Sequence, residues 1–169
     1  MADINSIPLS VLESVLSIDD QTGRVFWRAK AFKNCIIGKE IGNVSGCGYR
    51  EVRLFGVRTY VHRVVWRMRV GMLTQGCHID HIDGDRLNNR LSNLREVTCS
   101  VNLQNQKRAR RDNKSGALGV APHPCVKGKF TAQITLNGKK RHIGVFTTPE
   151  AAHAAYIEAK RELHAGCTL

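Results

Sequence analysis

The chain has 169 residues, 42% of them hydrophobic, with 26 Lys and Arg against 14 Asp and Glu. The apolar content excludes a disordered chain, and the length suits one or two small domains. A net charge of +12 and a pI of about 9.9 predict a polyanionic partner, because Lys and Arg release counterions from phosphates. By charge alone, binding to a ribosome or to a membrane surface would fit as well.

Nothing in the sequence indicates targeting to a membrane or a structural zinc site. The first ten residues lack the basic start and long apolar core of a signal peptide. No apolar stretch is long enough to span a membrane. The six cysteines include no CxxC pair, so we expect free thiols and no structural zinc. These features predict a soluble, cytoplasmic protein.

The first half of the chain shows the patterns of short helices and strands. Helical spacing predicts a helix over residues 8–16, and a hairpin follows over 18–27. Period-two alternation predicts three further strands, at residues 41–44, about 49–54 and 57–61. Helical spacing returns over 62–70, with an apolar stripe from Val61 to Met72.

Arginines of these elements are candidate contacts to nucleic-acid phosphates. They are Arg50 and Arg53 on the strands, and Arg63 and Arg67, which lie off the apolar stripe of the helix. A solvated strand face would explain Arg50 and Arg53 equally well.

Residues 77–106 concentrate side chains that suit phosphodiester hydrolysis. Asp80 and His81 are followed by Asn93, twelve residues after the histidine, and by Asn102, nine further on. Asp80 and Asn102 offer the oxygen ligands that magnesium prefers, and a neutral His81 can take a proton from water. The stretch from 76 to 106 has 3 basic and 4 acidic residues, so it is net acidic in a basic chain.

The same stretch predicts the order strand, loop, strand, helix. A short apolar run ends at Val97, and Thr98 is a good N-cap for the helix. Asp80 and His81 are neighbours, which face opposite ways on a regular strand. They serve one site only if the strand ends or distorts there. The loop holds four typical turn formers, Asp83, Asp85, Asn88 and Asn89. We interpret Asp83 and Asp85 as turn formers alone.

This stretch of sequence resembles the HNH nucleases of the ββα-metal type. The matching residues are Asp80 to Asp85, Asn88 to Arg95, Val97, Thr98 and Asn102. Within these it resembles the phage and intron-encoded homing endonucleases. The resemblance implies that His81 is the general base and that Asp80 and Asn102 are metal ligands. It also implies that Asn93 ties the loop and helps to hold the histidine.

Further expectations follow from this resemblance. It implies Mg²⁺ as the cofactor, with Mn²⁺ as an alternative, double-stranded DNA as the substrate, and products with 5′-phosphate and 3′-hydroxyl ends. It implies a phage or mobile-element origin, and hence the host-cell cytosol. A monomer would nick one strand, whereas a homodimer or two events would cut both. The His62-Arg63 start of an apolar helix also recurs in these enzymes, so His62 is interpreted as scaffold, with a catalytic role as the alternative.

A basic linker is predicted over residues 107–117, where a charge run favours sequence-independent contacts to a DNA backbone. Its candidate contacts are Lys107, Arg108, Arg110 and Arg111. Beyond it, strands are predicted over 118–121, 129–136 and 139–146, with an Asn137-Gly138 hairpin turn between the last two. A helix capped by Thr148 and opened by Pro149 then follows.

This C-terminal module resembles the AP2 domain. The matching text is Gly119-Val120, Gly128-Lys129-Phe130, Ala132, Ile134, Ile143-Gly144-Val145-Phe146, Glu150-Ala151-Ala152 and Ala154-Ala155-Tyr156. The resemblance implies a sheet that lies in the DNA major groove. The DNA-binding candidates are Lys129, Gln133, Lys140 and His142. Plant members carry Arg and Trp at several outward positions where this chain has Ala, His, Gln and Thr, so we expect weaker or differently targeted binding.

Together these patterns predict an α+β protein with two modules. Residues 1–106 would hold N-terminal antiparallel strands and a ββα-metal HNH core, and residues 118–169 a three-stranded antiparallel sheet packed on one helix. The predicted function is a metal-dependent DNA endonuclease, a homing-type nickase or double-strand cutter. One alternative is a non-catalytic AP2-like DNA-binding regulator, which needs no metal. Another is an RNA-binding or RNA-cleaving protein, which would not prefer duplex DNA.

Overall fold

The computed structural model describes residues 3–110, 112–136, 138–164 and 167–168. The chain divides into two compact units, with the boundary between Thr98 and Cys99. The predicted 107–117 linker therefore lies within the second unit. Arg111 and Asn137 lie outside the described residues, so the structure says nothing of the predicted Arg111 contact or of the Asn137 turn position.

The first unit contains two α-helices and seven strands among its described residues, in the order helix, five strands, helix, two strands. They are α1 (Leu9–Val15), β1 (Leu16–Asp19), β2 (Arg24–Trp27), β3 (Asn43–Val44), β4 (Arg50–Leu54), β5 (Val57–Tyr60), α2 (Val61–Arg69), β6 (Cys77–His81) and β7 (Leu94–Thr98). Three antiparallel sheets result: β1–β2, β3–β4–β5 and β6–β7. The predicted helices and hairpins are confirmed, with ends that shift by one or two residues.

The core of this unit lies where α1 and α2 cover the strands. Its fully buried side chains are Ile4, Leu12, Leu16, Val25, Ile41, Leu54, Val61, Val64 and Val65. Val61, Val64, Val65 and Met68 form the predicted stripe of α2. Because residues three and four apart share a helix face, this spacing places all four against the sheets.

Two details of α2 differ from the prediction. The helix ends at Arg69, and Gly71 follows with a φ of 128°, so Met72 lies beyond the helix and is 67% exposed. Including Met72 in the apolar stripe was therefore wrong. Arg67, predicted off the stripe, is buried. Long arginine stems can cover apolar surface, which a simple polar-or-apolar pattern does not capture.

The second unit has helix α3 (Cys99–Gln104), strands β8 (Val120–Pro122), β9 (Phe130–Leu136) and β10 (Lys139–Phe146), and helix α4 (Pro149–Leu163). The strands form one antiparallel sheet in the order β10–β9–β8. Its core is Val120, Ala132, Ile134, Ala152 and Tyr156, so α4 packs on one face of the sheet. The α+β class predicted from the sequence is confirmed.

Local chemistry explains where α4 begins and how closely the chain before β8 approaches it. The Thr148 hydroxyl accepts a hydrogen bond from the Ala151 N–H at 3.2 Å, and Pro149 opens α4, as the sequence predicted. Gly119 has a φ of 77°, and any Cβ there would collide with the Tyr156 ring. Glycine therefore lets the chain before β8 lie directly against α4. Among the described residues, no helix combines the length and apolar character needed to cross a membrane.

Candidate active site

The Asp80-His81 step lies at the end of β6, which pairs antiparallel with β7. Strand, loop and strand precede α3, so the order predicted from the sequence is confirmed. Asp80 is 7% exposed and His81 3% exposed, although strand neighbours point to opposite faces. Both faces of the strand end are therefore covered, and the strand stops at the histidine.

The His81 ring is held by a hydrogen bond and by aromatic neighbours. Its Nε2 lies 3.0 Å from Oδ1 of Asn89, a buried contact. The ring of His62 meets it at an angle of 75°, with centroids 5.0 Å apart. The centroid of the Tyr49 ring lies 5.9 Å from that of His81. Sequence reasoning assigned Asn89 no role beyond that of a turn former, because nothing in the spacing indicates which loop side chain turns inward.

The Asn93 side chain ties the loop that joins β6 to β7. Its Oδ1 accepts the Asp83 N–H at 3.0 Å, and its Nδ2 donates to Asp83 Oδ1 at 2.9 Å and to the Asn88 carbonyl at 2.8 Å. Its backbone carbonyl accepts from the Ile82 N–H at 2.9 Å. Asn93 thus holds the loop through Ile82, Asp83 and Asn88, while Asn89 is a residue of the same loop whose side chain contacts His81.

Asp83 and Asp85 shape this loop as turn formers, which confirms their interpretation. Asp83 Oδ1 accepts the Asp85 N–H at 2.8 Å, and Asp85 Oδ1 accepts the Leu87 N–H at 3.0 Å. Burial acts to raise the pKa of Asp83, but hydrogen bonds from Asn88 and Asn93 outweigh it and hold that pKa below its usual value. The carboxylate is therefore the stable form of Asp83 in the folded loop.

Asp80 forms an ion pair with Arg95 across the two strands. Asp80 Oδ2 accepts from Arg95 Nε at 3.0 Å and from Nη2 at 2.8 Å. The two residues are directly opposite in the β6–β7 register, where opposite charges attract. The sequence analysis did not identify Arg95 as a site residue, because its pairing with Asp80 depends on the strand register, which cannot be read from the sequence.

His62 lies in the first turn of α2, next to His81. Its ring stacks on Tyr60 with centroids 5.6 Å apart and an angle of 9°. It is 6% exposed. Burial, with the nearby His81 and Arg63 as lesser causes, lowers the pKa of His62 to about 3. The imidazole is therefore neutral at physiological pH and serves as an aromatic wall for His81.

The low pKa of His62 predicts a loss of stability in acid. Unfolding raises this pKa from about 3 toward 6.5, so the unfolded chain binds an extra proton below pH 6.5. The stability contribution is complete above pH 6.5 and declines as pH falls toward 3, by up to about 1.4 kcal/mol per pH unit. Between pH 6.5 and 5, the free energy of unfolding should therefore fall by about 2 kcal/mol less in His62→Phe than in the wild type.

Urea unfolding followed by tryptophan fluorescence measures this difference, because Trp27 and Trp66 both belong to the first unit. His78→Gln is the matched control, since His78 is exposed on β6. It should keep the wild-type dependence on pH. Equal pH dependence in His62→Phe and the wild type would contradict the prediction.

Arg86 connects this loop to the β3–β4 sheet. Its guanidinium lies over the Tyr49 ring, 4.8 Å from the centroid, and its Nη1 donates to the Cys47 carbonyl at 2.6 Å. Tyr49 is in turn a neighbour of His81. No sequence pattern predicts this stacking, because it couples two segments almost forty residues apart.

Asn102 lies in α3, which belongs to the second unit. The assignment of Asn102 and Asp80 as metal ligands stays a prediction, as do the roles of His81 as the general base and of Asn93 in holding the loop. Among the described residues, no three His, Cys, Asp or Glu side chains gather as a metal site. The predicted pair is one carboxylate and one amide oxygen, a set that contains no such trio.

The strand arginines predicted to contact DNA differ in their environments. Arg50 Nη1 donates to the Gly42 carbonyl at 2.9 Å, and its Nε lies 3.4 Å from a Glu40 oxygen. Arg53 is exposed on β4 and lies opposite Arg58 in the register. Arg53 therefore presents its charge to solvent, whereas Arg50 also holds the β2–β3 segment.

The two helix arginines also differ. Arg63 is about one-third exposed, and its guanidinium lies 3.9 Å from Asp3. Arg67 is buried, and its Nε has no hydrogen-bond partner among the described residues. Arg63 is accessible to a phosphate as the protein stands, whereas Arg67 would first have to move. Both DNA contacts stay predictions.

In the second unit, Lys107 Nζ donates to the Thr168 carbonyl at 3.2 Å, while Arg108 and Arg110 are exposed. Sequence reasoning missed Lys160, which is buried on α4 and donates to the Gln106 carbonyl. Burial lowers the pKa of Lys160. This contact fixes the start of the basic segment against α4.

The predicted contacts of the C-terminal sheet share one face. Gln133 pairs with His142, and Thr135 with Lys140, across β9 and β10. Paired residues and residues two apart lie on the same side of a sheet, so these four form a single polar surface. Ala132 and Ile134 point to the opposite side, toward the core with α4. Lys129 is exposed just before β9.

Comparison with known proteins gives three kinds of match. The family described as HNH endonuclease matches residues 59–104. The chain is 32% identical over 103 residues to protein 3.8 of Escherichia phage T7, which covers 61% of this chain and 83% of that protein. It is 29% identical over 104 residues to an uncharacterized HNH endonuclease of Acanthamoeba polyphaga mimivirus, covering 61% of this chain and 52% of that protein.

One solved structure is also similar, described as DNA binding and cleavage by the HNH homing endonuclease I-HmuI. The match has a TM-score of 0.46 and 30% identity, and covers 59% of this chain and 56% of that one. The chain thus spans little more than half the length of the mimivirus protein and of this structure. From the matched region and the phage relative, the chain belongs to the HNH endonuclease family, a family of DNA-cleaving enzymes.

Proposed function

We propose that the chain is a metal-dependent DNA endonuclease in which His81 is the general base and Asp80 and Asn102 are the metal ligands. The observation that carries the proposal is the buried Asp80-His81 step at the end of β6, within the matched HNH segment. Because the Asp80 carboxylate and the His81 imidazole are buried, they do not contribute to the solubility of the protein surface. Burying a carboxylate and an imidazole costs free energy unless they are paired, so their placement together supports a chemical role for this step.

His81 supplies the proton chemistry in this proposal. A neutral imidazole takes a proton from the water that attacks the scissile phosphate. The wall formed by His62 and Tyr49 restricts how the ring tilts. The base therefore keeps one orientation through the reaction, which lowers the entropic cost of reaching the transition state.

Asp80 is suited to holding a divalent cation. A carboxylate that binds a metal is itself commonly hydrogen-bonded by a neighbour, and Arg95 occupies Oδ2 of Asp80 in this way. The assignment of Asn102 rests on its position in the motif. A bound Mg²⁺, or Mn²⁺, would neutralise charge on the phosphate and stabilise the leaving oxygen. Asn93 keeps the loop beside the site in shape.

The second unit supplies DNA affinity in this proposal, as an AP2-like module. The polar face of Gln133, Thr135, Lys140 and His142 would lie against the duplex, and the exposed Arg108 and Arg110 would contact phosphates. The net charge of +12 supports a polyanionic substrate. We infer a role in a phage or mobile element, with nicking by a monomer and double-strand cleavage by a homodimer.

Withdrawal of metal tests the proposal directly. We expect the protein to convert supercoiled plasmid to open-circular or linear DNA with Mg²⁺ or Mn²⁺, and EDTA to abolish this, because the leaving oxygen then lacks its stabilising charge. Gel electrophoresis of the products measures it, and restoring the metal should restore cleavage. The plasmid should carry DNA related to the protein's own genome, so that a site-specific enzyme finds a target.

The opposite outcome favours the alternative. If the protein shifts duplex DNA on a gel but leaves it intact with either metal, a DNA-binding regulator explains the chain better. Competition by single-stranded RNA that exceeds competition by duplex DNA would favour an RNA-directed protein, because single-stranded RNA exposes unstacked bases for stacking and hydrogen bonding, whereas a DNA-directed strand face reads the major groove of a duplex.

A further inference from the structure

The loop of residues 28–39, which follows β2, exposes large apolar side chains in the middle of a basic segment. Ile36 is 60% exposed and Ile37 63% exposed, and Phe32 is exposed a few residues before them. Single exposed apolar residues are ordinary on a protein surface. Three on one short loop, with the exposed Phe55 against Phe32, form a patch. An exposed apolar patch with a polar rim marks a surface that binds a partner.

Hydrogen bonds and ring packing hold this loop in place. The Trp27 N–H donates to the Lys39 carbonyl at 3.0 Å, and the Gly38 N–H donates to the Trp27 carbonyl at 2.8 Å, so the loop is closed at its base. The Phe32 ring meets Trp27 edge-on, with centroids 5.8 Å apart, and lies 5.1 Å from the Phe55 ring. The exposed isoleucines are therefore carried on a braced stem.

Phe55 has a backbone conformation that aromatic residues seldom adopt. It lies in the turn between β4 and β5 with a φ of 48°, and Gly56 follows with a φ of 83°. Asparagine or glycine takes a hairpin position of positive φ with less strain. What phenylalanine adds is its ring, which packs on Phe32 and stays partly exposed. The ring therefore supports the loop and extends its apolar surface.

The charge around the patch indicates a polyanionic partner. The loop carries four exposed cations and no Asp or Glu: Arg28, Lys30, Lys33 and Lys39. Among the described residues, none of these four is in an ion pair. Two copies of the loop would repel each other. A DNA duplex offers phosphates to the cations and, between them, base pairs that apolar side chains can enter.

We propose that the 28–39 loop is a wedge that kinks the DNA duplex. Its lysines and arginine contact phosphates, while Ile36 and Ile37 insert from the minor groove at a base step and unstack it. Isoleucine and phenylalanine are among the side chains that minor-groove proteins use in this way. Because flexible pyrimidine–purine steps such as TA unstack most easily, the loop selects where the duplex bends without hydrogen bonds to bases.

The inference rests on the proposed function in one respect, that duplex DNA is the partner. It does not depend on which residue is the base or which residues bind metal. The wedge adds a site of DNA deformation to the first unit, separate from the strand and helix arginines already considered as phosphate contacts.

Permanganate tests the wedge without any cleavage by the protein, because it oxidises thymines that have lost their stacking. End-labelled duplexes rich in TA steps, taken from DNA related to the protein's own genome, are bound by the full chain in EDTA and treated. We expect the wild type to make thymines reactive at discrete positions. In Ile36→Ser/Ile37→Ser the reactivity should return to that of free DNA, and affinity in a gel shift should fall about tenfold.

Two further variants separate the apolar contact from other effects. Val70→Ser/Met72→Ser is the matched control, since both side chains are exposed and apolar but lie outside the loop. It should keep the wild-type reactivity and affinity. Lys30→Ala/Lys33→Ala keeps the isoleucines and should reduce the slope of log affinity against log salt by about two. Urea unfolding checks that each variant is folded.

Every result decides the inference. A wild-type complex with no newly reactive thymine, or equal reactivity in the Ile36→Ser/Ile37→Ser variant, would overturn it. Two other occupants of the patch would also overturn it, if the thymine pattern does not depend on the loop. One is a second copy, shown by a wild-type dimer in sedimentation that the double-serine variant does not form. The other is a membrane, shown by loop-dependent binding to phosphatidylserine vesicles.

The same experiment keeps the inference apart from the nuclease proposal. Loop-dependent thymine reactivity in a protein that never cuts DNA with Mg²⁺ or Mn²⁺ supports the wedge and contradicts the nuclease. Plasmid cleavage without loop-dependent reactivity supports the nuclease and contradicts the wedge.

Discussion

Replacing His81 with alanine should reduce cleavage of duplex DNA by about 10²- to 10⁴-fold, the usual contribution of a general base. The substitution removes the group that takes the proton from water, while the cation ligands and the basic surfaces remain. Affinity for DNA should therefore change little. Plasmid cleavage at saturating protein measures the rate, and a gel shift in Ca²⁺ or EDTA measures binding.

His78→Ala is the matched control for this experiment, because His78 lies on the same strand but is exposed. It should cleave at close to the wild-type rate. His81 is buried, so its removal also leaves a cavity, and urea unfolding should confirm that the variant is folded at the assay temperature. A folded His81→Ala protein that cuts within a few-fold of the wild type would remove His81 from the role of base.

Replacing Asp80 with leucine should abolish cleavage and also destabilise the first unit. The substitution leaves the Arg95 guanidinium without its carboxylate, and breaking a buried ion pair typically costs 3–5 kcal/mol. Because the Arg95 side chain is 26% exposed, water compensates in part, and we expect about 2 kcal/mol. Urea unfolding followed by tryptophan fluorescence measures the change.

A second substitution separates the structural role of Asp80 from the chemical one. In Asp80→Leu/Arg95→Met the ion pair is replaced by two apolar side chains, so most of the lost stability should return. Cleavage should not return, because the proposed ligand is still missing. Recovery of both stability and cleavage in the double variant would show that Asp80 serves only to pair with Arg95.

The Asn89, Asp80 and His62 contacts show why the site could not be completed from the sequence. Asn89 is one of several short polar residues in a loop, and each is equally able to form a turn. Which one turns inward depends on Gly23, more than sixty residues earlier, whose missing side chain admits the backbone of Asn89. A local pattern does not contain that information.

The arginines make the same point about surfaces. Arg63 and Arg67 are one helical turn apart and look alike in the sequence, yet Arg67 is buried and Arg63 is partly exposed. Packing of α2 against its neighbours decides this, since the stem of an arginine is apolar enough to cover a core. Charge alone therefore predicted a polyanionic partner, but not which side chains are available to it.

The sequence by itself determined the order of helices and strands, including the order strand, loop, strand, helix over residues 77–106, the Thr148 cap and the membership of a DNA-cleaving family. These depend on local periodicity, on capping chemistry and on a motif of short spacing, all of which are encoded within a few dozen residues. Only the tertiary structure decided the partners of the key side chains: Asn89 on His81, Arg95 on Asp80 and His62 against His81. Those contacts depend on strand register and on packing between distant segments, because burial selects one polar partner from many that are chemically equivalent.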